Sequence, residues 1–166
     1  MKVLDLGAAP GSWSLGAAER VGAQGKVLAC DIQSTATVFP PNVEFHQEDV
    51  FQRSEAFERQ LAETGPFHVV MSDMAPQTTG TKFTDQARSL ELCLEALAVA
   101  ETYLVKGGSF VVKIFMGPDV GELLKGMRPR FARVTSFKPQ SSRMESKETF
   151  FVGLGFKGRE AESVRD

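Results

Sequence analysis

Residues 2–31 read KVLDLGAAPGSWSLGAAERVGAQGKVLACD. An apolar run breaks at Gly7, a short loop carries Pro10 and Gly11, a helical pattern occupies about 12–21, and a second apolar run closes on Asp31. Strand, glycine loop, helix and strand in that order make a βα unit that feeds a parallel sheet. The alternation continues along the chain. Strands are predicted at 2–6, 26–31, 43–47, 67–72, 109–114, 133–139 and 149–155, with helices near 12–21, 52–63, 84–106 and 119–130. The longest helix opens with Thr84 and Asp85, spaces Leu90, Leu94, Leu97 and Leu104 at near-helical intervals, and is expected to stop at Gly107 and Gly108. The pattern is α/β and Rossmann-like, a seven-stranded, mostly parallel sheet in one domain over 1–156, followed by a charged tail at 157–166.

In doubly wound sheets the ligand binds beyond the carboxyl ends of the strands, where strand order reverses. At those ends stand the loop 7–13, Asp31, Asp49, Asp73 and Lys113. Glycines let the backbone turn sharply and approach a ligand, and the following helix offers free N–H groups. A phosphate-cradling loop needs GxxxxGK[ST], and the dinucleotide fingerprint needs glycine where Ala9 stands, so both templates fail and a nicotinamide-dependent oxidoreductase is disfavoured. Asp31 follows Gly11 by 20 residues, the distance at which a carboxylate grips the ribose hydroxyls of an adenosine cofactor. Asp49, in QEDV, stands where its side chain or adjacent backbone reads an adenine edge. Acids at Asp5, Asp31, Asp49 and Asp73, with no lysine in the loop, repel a pyrophosphate and suit the sulfonium and ammonium of S-adenosylmethionine. Singly, each feature has a structural alternative: a tight turn for the loop, packing for Trp13, a helix cap for either aspartate. Their coincidence at strand ends is what indicates a cofactor site.

The net charge of -2 conceals an uneven distribution. Residues 1–83 carry 6 Lys/Arg against 10 Asp/Glu, whereas 125–147 carry 7 (Lys125, Arg128, Arg130, Arg133, Lys138, Arg143, Lys147) against Glu145 alone. Such a run is either a solvated face or a phosphate-binding surface. Phe115, Phe131 and Phe137 lie near it, with core packing their default reading. Cys30 and Cys93 fall in apolar segments and form no CxxC pair, so buried free thiols in a reducing, cytoplasmic setting are expected. His46 and His68 share no ligand spacing, and no metal is predicted. No apolar run is long enough for a membrane span, and a monomer is expected.

Read in order, DLGAAPGSWS, CDI, EDV, VVMSDMAPQTTG, GGSFVVKIFMG and KPQSSRMESKETFFVGLG resemble the FtsJ/RrmJ family of ribose 2′-O-methyltransferases over nearly the whole chain. The resemblance implies the class I S-adenosylmethionine-dependent methyltransferase fold with an antiparallel last strand. It also implies S-adenosylmethionine as cofactor and RNA as substrate, typically a uridine ribose of large-subunit (23S) ribosomal RNA, with transfer and messenger RNA as the alternatives. It places cofactor contacts on Pro10, Gly11, Ser12, Trp13, Asp31, Asp49 and Asp73, with Ser12 where the family often has glycine. Of the family's Lys-Asp-Lys-Glu set, the aspartate matches Asp73, the second lysine Lys113, and the glutamate Glu148, Glu145 being the weaker match. The first lysine has no counterpart, since Lys2 lies on the first strand itself. The expected resolutions, in order, are a chain start placed too late, substitution by another group, or a protein that binds cofactor and RNA with impaired catalysis.

The chemistry suits these residues. Methylating a ribose hydroxyl is an in-line displacement, so positioning is a large part of it, and the hydroxyl proton must leave. Burial and a neighbouring sulfonium favour a neutral lysine, which makes Lys113 the expected base; carboxylates favour a charged one, so Asp73 and Glu148 are expected to orient it. The polar loop QTTGTKF, 77–83, lies beside Asp73 as a candidate substrate-gating lid.

Overall fold

The computed structural model describes residues 1–138 and 148–159. Its elements are β1 (Lys2–Leu6), α1 (Ser12–Val21), β2 (Lys26–Asp31), β3 (Val43–Gln47), α2 (Glu55–Thr64), β4 (Phe67–Ser72), α3 (Lys82–Tyr103), β5 (Leu104–Phe115), α4 (Val120–Met127), β6 (Phe131–Phe137) and β7 (Glu148–Phe156). They form one seven-stranded sheet in the order β3-β2-β1-β4-β5-β7-β6. The strands β1 to β5 pair in parallel, and β7 runs antiparallel to both β5 and β6. Strand order reverses between β1 and β4, which fixes where a ligand-binding crevice opens.

The pleat sorts side chains onto two faces. Leu4, Leu6, Leu28, Cys30, Val70, Phe110, Val112 and Ile114 pack with α2, α3 and α4 in the larger core. Val3, Val27, Val69 and Met71 pack on the other face with Ala17, Ala18 and Val21 of α1. Both cysteines are buried free thiols, and burial pushes each up to about 12. Among the described residues no helix is long and apolar enough to cross a membrane, and no group of three His, Cys, Asp or Glu side chains is arranged to hold a metal.

Several element boundaries differ from the sequence reading: β5 begins at Leu104 rather than 109, β6 spans Phe131–Phe137 rather than 133–139, and α3 begins at Lys82 rather than 84. Three further boundaries have a clear local reason. α3 ends at Tyr103 rather than 106, because Leu104 is extended (φ −75°, ψ 143°) and already pairs with Phe67. The predicted stop, Gly107 at φ +87° with Gly108, lies instead in a register shift inside β5. α4 ends at Met127: Arg128 keeps helical angles (φ −56°, ψ −41°) and its N–H closes on Leu124 O at 2.9 Å, but Pro129 has no N–H to continue the ladder. α2 starts at Glu55 because Ser54 caps it, accepting the Phe57 N–H at 3.1 Å. Of the leucine stripe, Leu97 and Leu104 are buried and Leu90 packs against the core. Leu94 is exposed, and the buried face also carries small and polar side chains that the periodicity did not select: Ser89, Cys93, Ala96 and Ala100.

Candidate functional site

Register builds the site. Leu6 pairs with Cys30 on one side and Ser72 on the other, and Ser72 pairs with Val112. One residue further along each strand come Gly7, Asp31, Asp73 and Lys113, level with one another across four neighbouring strands. Asp73 N–H still donates to Leu6 O at 3.1 Å, and Glu48 N–H to Asp31 O at 2.9 Å. The alternation turns Asp31, Asp73 and Lys113 away from the larger core, toward the face that α1 covers.

A cavity of about 690 Å³ opens at this row, and Gly7, Ala9, Asp31, Asp49 and Asp73 line it. That volume lies in the range of small-molecule sites. Gly7 has φ +75°, and a Cβ there would fall 2.7 Å from Met74 Cγ and 2.9 Å from its backbone, so only glycine lets β1 turn under the β4 loop. Asp31 is held from both sides: Ala9 N–H donates to Oδ2 and Gln33 N–H to Oδ1, each at 2.8 Å. A carboxylate has lone pairs for more than two bonds, so Asp31 can still accept from a diol. Asp49 Oδ1 accepts the Phe51 N–H at 2.9 Å, turning the chain so that Val50 and Phe51 enter the cavity wall.

Pro10, Gly11, Ser12 and Trp13 do not line the cavity; they form the turn behind it. The β2–β3 connection straps this turn. Thr35 and Thr37 hydroxyls both donate to Pro10 O, at 2.8 and 2.5 Å, and the Phe39 ring fills the space a Cβ on Gly11 would need. Trp13 packs against Phe150 at 5.4 Å.

Asp73 joins this cavity to a second cluster. Lys113 Nζ lies 3.0 Å from Asp73 Oδ1 and 3.9 Å from Glu148 Oε1, with the lysine side chain only 11% exposed. The three side chains chosen from the sequence therefore meet at one amine. The backbone of Lys113 is held from α3, where the Cys93 thiol donates to Lys113 O at 3.0 Å and the Phe115 N–H donates to Ser89 Oγ at 3.0 Å.

Asp5 is a correction to the acidic-site reading. It is fully buried on the α1 face, accepts the Ser14 hydroxyl at 2.6 Å, and does not line the cavity. Conversely, Ile32, Val50, Phe51, Met74, Arg88 and Glu91 line it without having been singled out. Ile32 and Phe51 were detectable in principle, as apolar residues just after the acids in CDI and EDVF that end up 65% and 50% exposed.

Residues 1–156 match the FtsJ-like methyltransferase family. The chain belongs to that family. A protein of Nitratidesulfovibrio vulgaris (strain Miyazaki F) named Ribosomal RNA large subunit methyltransferase E is 76% identical over 158 residues, 95% of this chain and 79% of the relative. A protein of the same name from Bdellovibrio bacteriovorus is 50% identical, covering 93% of this chain and 79% of its own length. Among solved structures, one described as a ribosomal RNA methyltransferase from Plasmodium falciparum aligns at a TM-score of 0.81 and 26% identity, covering 95% of this chain and 87% of its own. Human methyltransferase-like protein 13, solved with SAH, shares the fold at a TM-score of 0.60 and 15% identity over 98% of this chain and 73% of its own. The Rossmann-like methyltransferase architecture read from the sequence, antiparallel last strand included, is thus the observed one.

In this FtsJ-like methyltransferase the basic run is divided. Lys125, Arg128, Arg133 and Lys138 are exposed, whereas Arg130 is engaged by Glu101 and donates to Gly126 O at 2.6 Å. Arg143, Lys147 and Glu145 lie outside the described residues. In the loop 77–83, Thr79 donates through both its N–H and its hydroxyl to Asp85, each at 2.8 Å, and Lys82 and Phe83 already belong to α3. His46 pairs with Glu44 at 2.9 Å, and His68 accepts the Lys2 N–H at 2.9 Å.

Proposed function

We propose that this chain methylates a ribose 2′-hydroxyl of RNA, a uridine of large-subunit ribosomal RNA, using S-adenosylmethionine. The observation that carries the reading is Asp73, which borders the cavity with one side and holds the Lys113 amine at 3.0 Å with the other. A cofactor pocket and a proton-handling group share this one carboxylate. The high-identity relatives named as large-subunit ribosomal RNA methyltransferases support the substrate class.

The residues present fit the cofactor. Asp31 retains acceptor capacity for the ribose hydroxyls, Ile32, Val50 and Phe51 offer apolar walls to an adenine, and Asp49 stands at its edge. The lining acids Asp31, Glu48, Asp49, Asp73 and Glu91 against Arg88 suit a cationic ligand. When bound, S-adenosylmethionine supplies an electrophilic methyl group on its sulfonium sulfur. Lys113 takes the proton from the attacking hydroxyl, and Asp73 and Glu148 fix the direction of its Nζ. Pro10, Gly11, Ser12 and Trp13 support the loop from behind, which gives them a positioning role.

The test is tritiated-methyl transfer to large ribosomal subunits from cells lacking this activity. General-base loss costs about 10²–10⁴-fold, so Lys113→Ala should lose at least about a hundredfold in turnover while S-adenosylmethionine affinity, read by calorimetry, stays within a few-fold. Undiminished turnover would remove Lys113 from the reaction.

A further inference from the structure

The row that carries Lys113 continues past the lysine. Lys113 pairs with Phe150 on β7, and Phe150 pairs with Phe137 on β6, the edge strand. The Phe150 ring meets Trp13 at 5.4 Å and stacks on Phe137 at 5.1 Å with an interplanar angle of 10°. Phe150 is 7% exposed, but Phe137 is 48% exposed. Three aromatic rings thus form a contact row, tilted at Trp13 (35°) and stacked at Phe137, that begins in the first turn after the glycine loop, crosses the strand opened by Glu148, and ends in a half-exposed residue. Two interstrand spacings, about 10 Å, separate Phe137 from Lys113 along the row.

A single exposed apolar side chain is ordinary. A stack that terminates in one, beside an amine held by two carboxylates, is better placed than chance requires. The pleat sets Arg133 on the same face of β6, and the next residue after the stack is Lys138; both are exposed. An open aromatic ring flanked by cations is what a single-stranded nucleic acid needs: a surface for a base and charges for the phosphates on either side.

We propose that Phe137 stacks a nucleobase of the RNA substrate flanking the ribose presented to Lys113. The inference rests on the RNA-methylation reading and adds a substrate-positioning residue to it. Phenylalanine offers no hydrogen bond, so this contact contributes affinity and register without reading base identity. Phe137 touches no reacting atom.

The experiment compares wild type, F137A and F137W on large ribosomal subunits lacking the modification. F137A should raise KM for the subunits about tenfold or more, with S-adenosylmethionine affinity unchanged and Tm lowered only by the lost ring pair, about a few degrees, and by the same factor at low and high salt, because stacking releases no counterions. F137W should restore KM, and the emission of the introduced indole, taken as the difference from wild type, should be quenched by oligouridine. An unchanged KM in F137A, or a larger fall in Tm with a fall in cofactor affinity alongside it, would overturn the assignment. If the wild type transfers no methyl group to RNA, the methylation reading fails, and quenching of F137W by oligouridine still decides whether a base stacks there.

Discussion

Asp5 shows how one residue can be right for a motif and wrong for a site. It sits two residues before Gly7, among the acids of the loop region, yet the β1 pleat turns it into the α1 face, where neighbours such as Val3 are apolar. Burial is the main cause that pushes its carboxyl from 3.8 up to about 7; the charges of Asp73 and Asp31 add to this, and the Ser14 hydrogen bond opposes it. The native state therefore keeps a proton that the unfolded chain releases above 3.8. Stability from this group is level below about pH 4, falls as pH rises from about 4 to about 7, and levels off again above. Three pKa units correspond to up to about 4 kcal/mol. Asp5→Asn cannot titrate, so its unfolding free energy relative to wild type should rise by a few kcal/mol across that window, whatever constant cost the amide adds. Urea midpoints at several pH values between 4 and 8 give this difference directly; a pH-independent offset would show that Asp5 is not the titrating group.

At the scale of elements, the end of β5 depends on α3. The β4 pairing stops at Ser72↔Val112, while β5 runs on to Phe115. The backbone groups past that point, Lys113 O and Phe115 N–H, are met by Cys93 and Ser89, and Gln86 donates to Met116 O at 2.7 Å. Small and polar side chains on the buried face of α3 therefore substitute for a missing strand partner just where Lys113 must be held. Ser89→Ala leaves the Phe115 N–H without its acceptor at a site only 2% exposed, which should cost about 1–3 kcal/mol. It should also lower turnover with little effect on cofactor affinity, because Ser89 stands away from the cavity. A loss below about 0.5 kcal/mol in urea unfolding would mean that the N–H finds another acceptor. The sequence revealed the helix and most of its apolar face, through Asp85 and its periodicity, but not the polar contacts it makes to β5. Hydrophobic spacing places Leu90, Leu97 and Leu104 at the core, but it is silent on Ser89 and Cys93, which meet the backbone at the end of β5. The helix end was misplaced for a related reason: Leu104 continues the periodicity but is taken by pairing with Phe67, a contact that spacing cannot foresee.

For the whole molecule, the strand ends were legible because parallel register is nearly forced by the alternation of apolar runs, and it brings Gly7, Asp31, Asp73 and Lys113 level. What lies between strands was not: the Thr35 and Thr37 strap on Pro10 and the burial of Asp5 follow from tertiary packing alone. The charge asymmetry was visible, but its meaning needed the fold. The cavity is ringed by acids, while exposed Arg128, Arg133 and Lys138 gather toward the β6 edge and Arg130 is drawn off by Glu101. A polyanion would meet the basic edge and be repelled from the acidic cavity, so its backbone should run along β6 with a single ribose reaching Lys113. If Arg128, Arg133 and Lys138, three of the four exposed cations of the basic run, each neutralise one phosphate, reversing them together (R128E, R133E, K138E) should lower the slope of log affinity against log salt by about 2. Filter binding of a large-subunit ribosomal RNA fragment across a salt series measures that slope. The variant should bind far more weakly at low salt and approach the wild type as salt rises, with S-adenosylmethionine affinity unaffected. Parallel lines for variant and wild type would mean that the phosphates lie elsewhere, and the basic edge would then be only a solvated face.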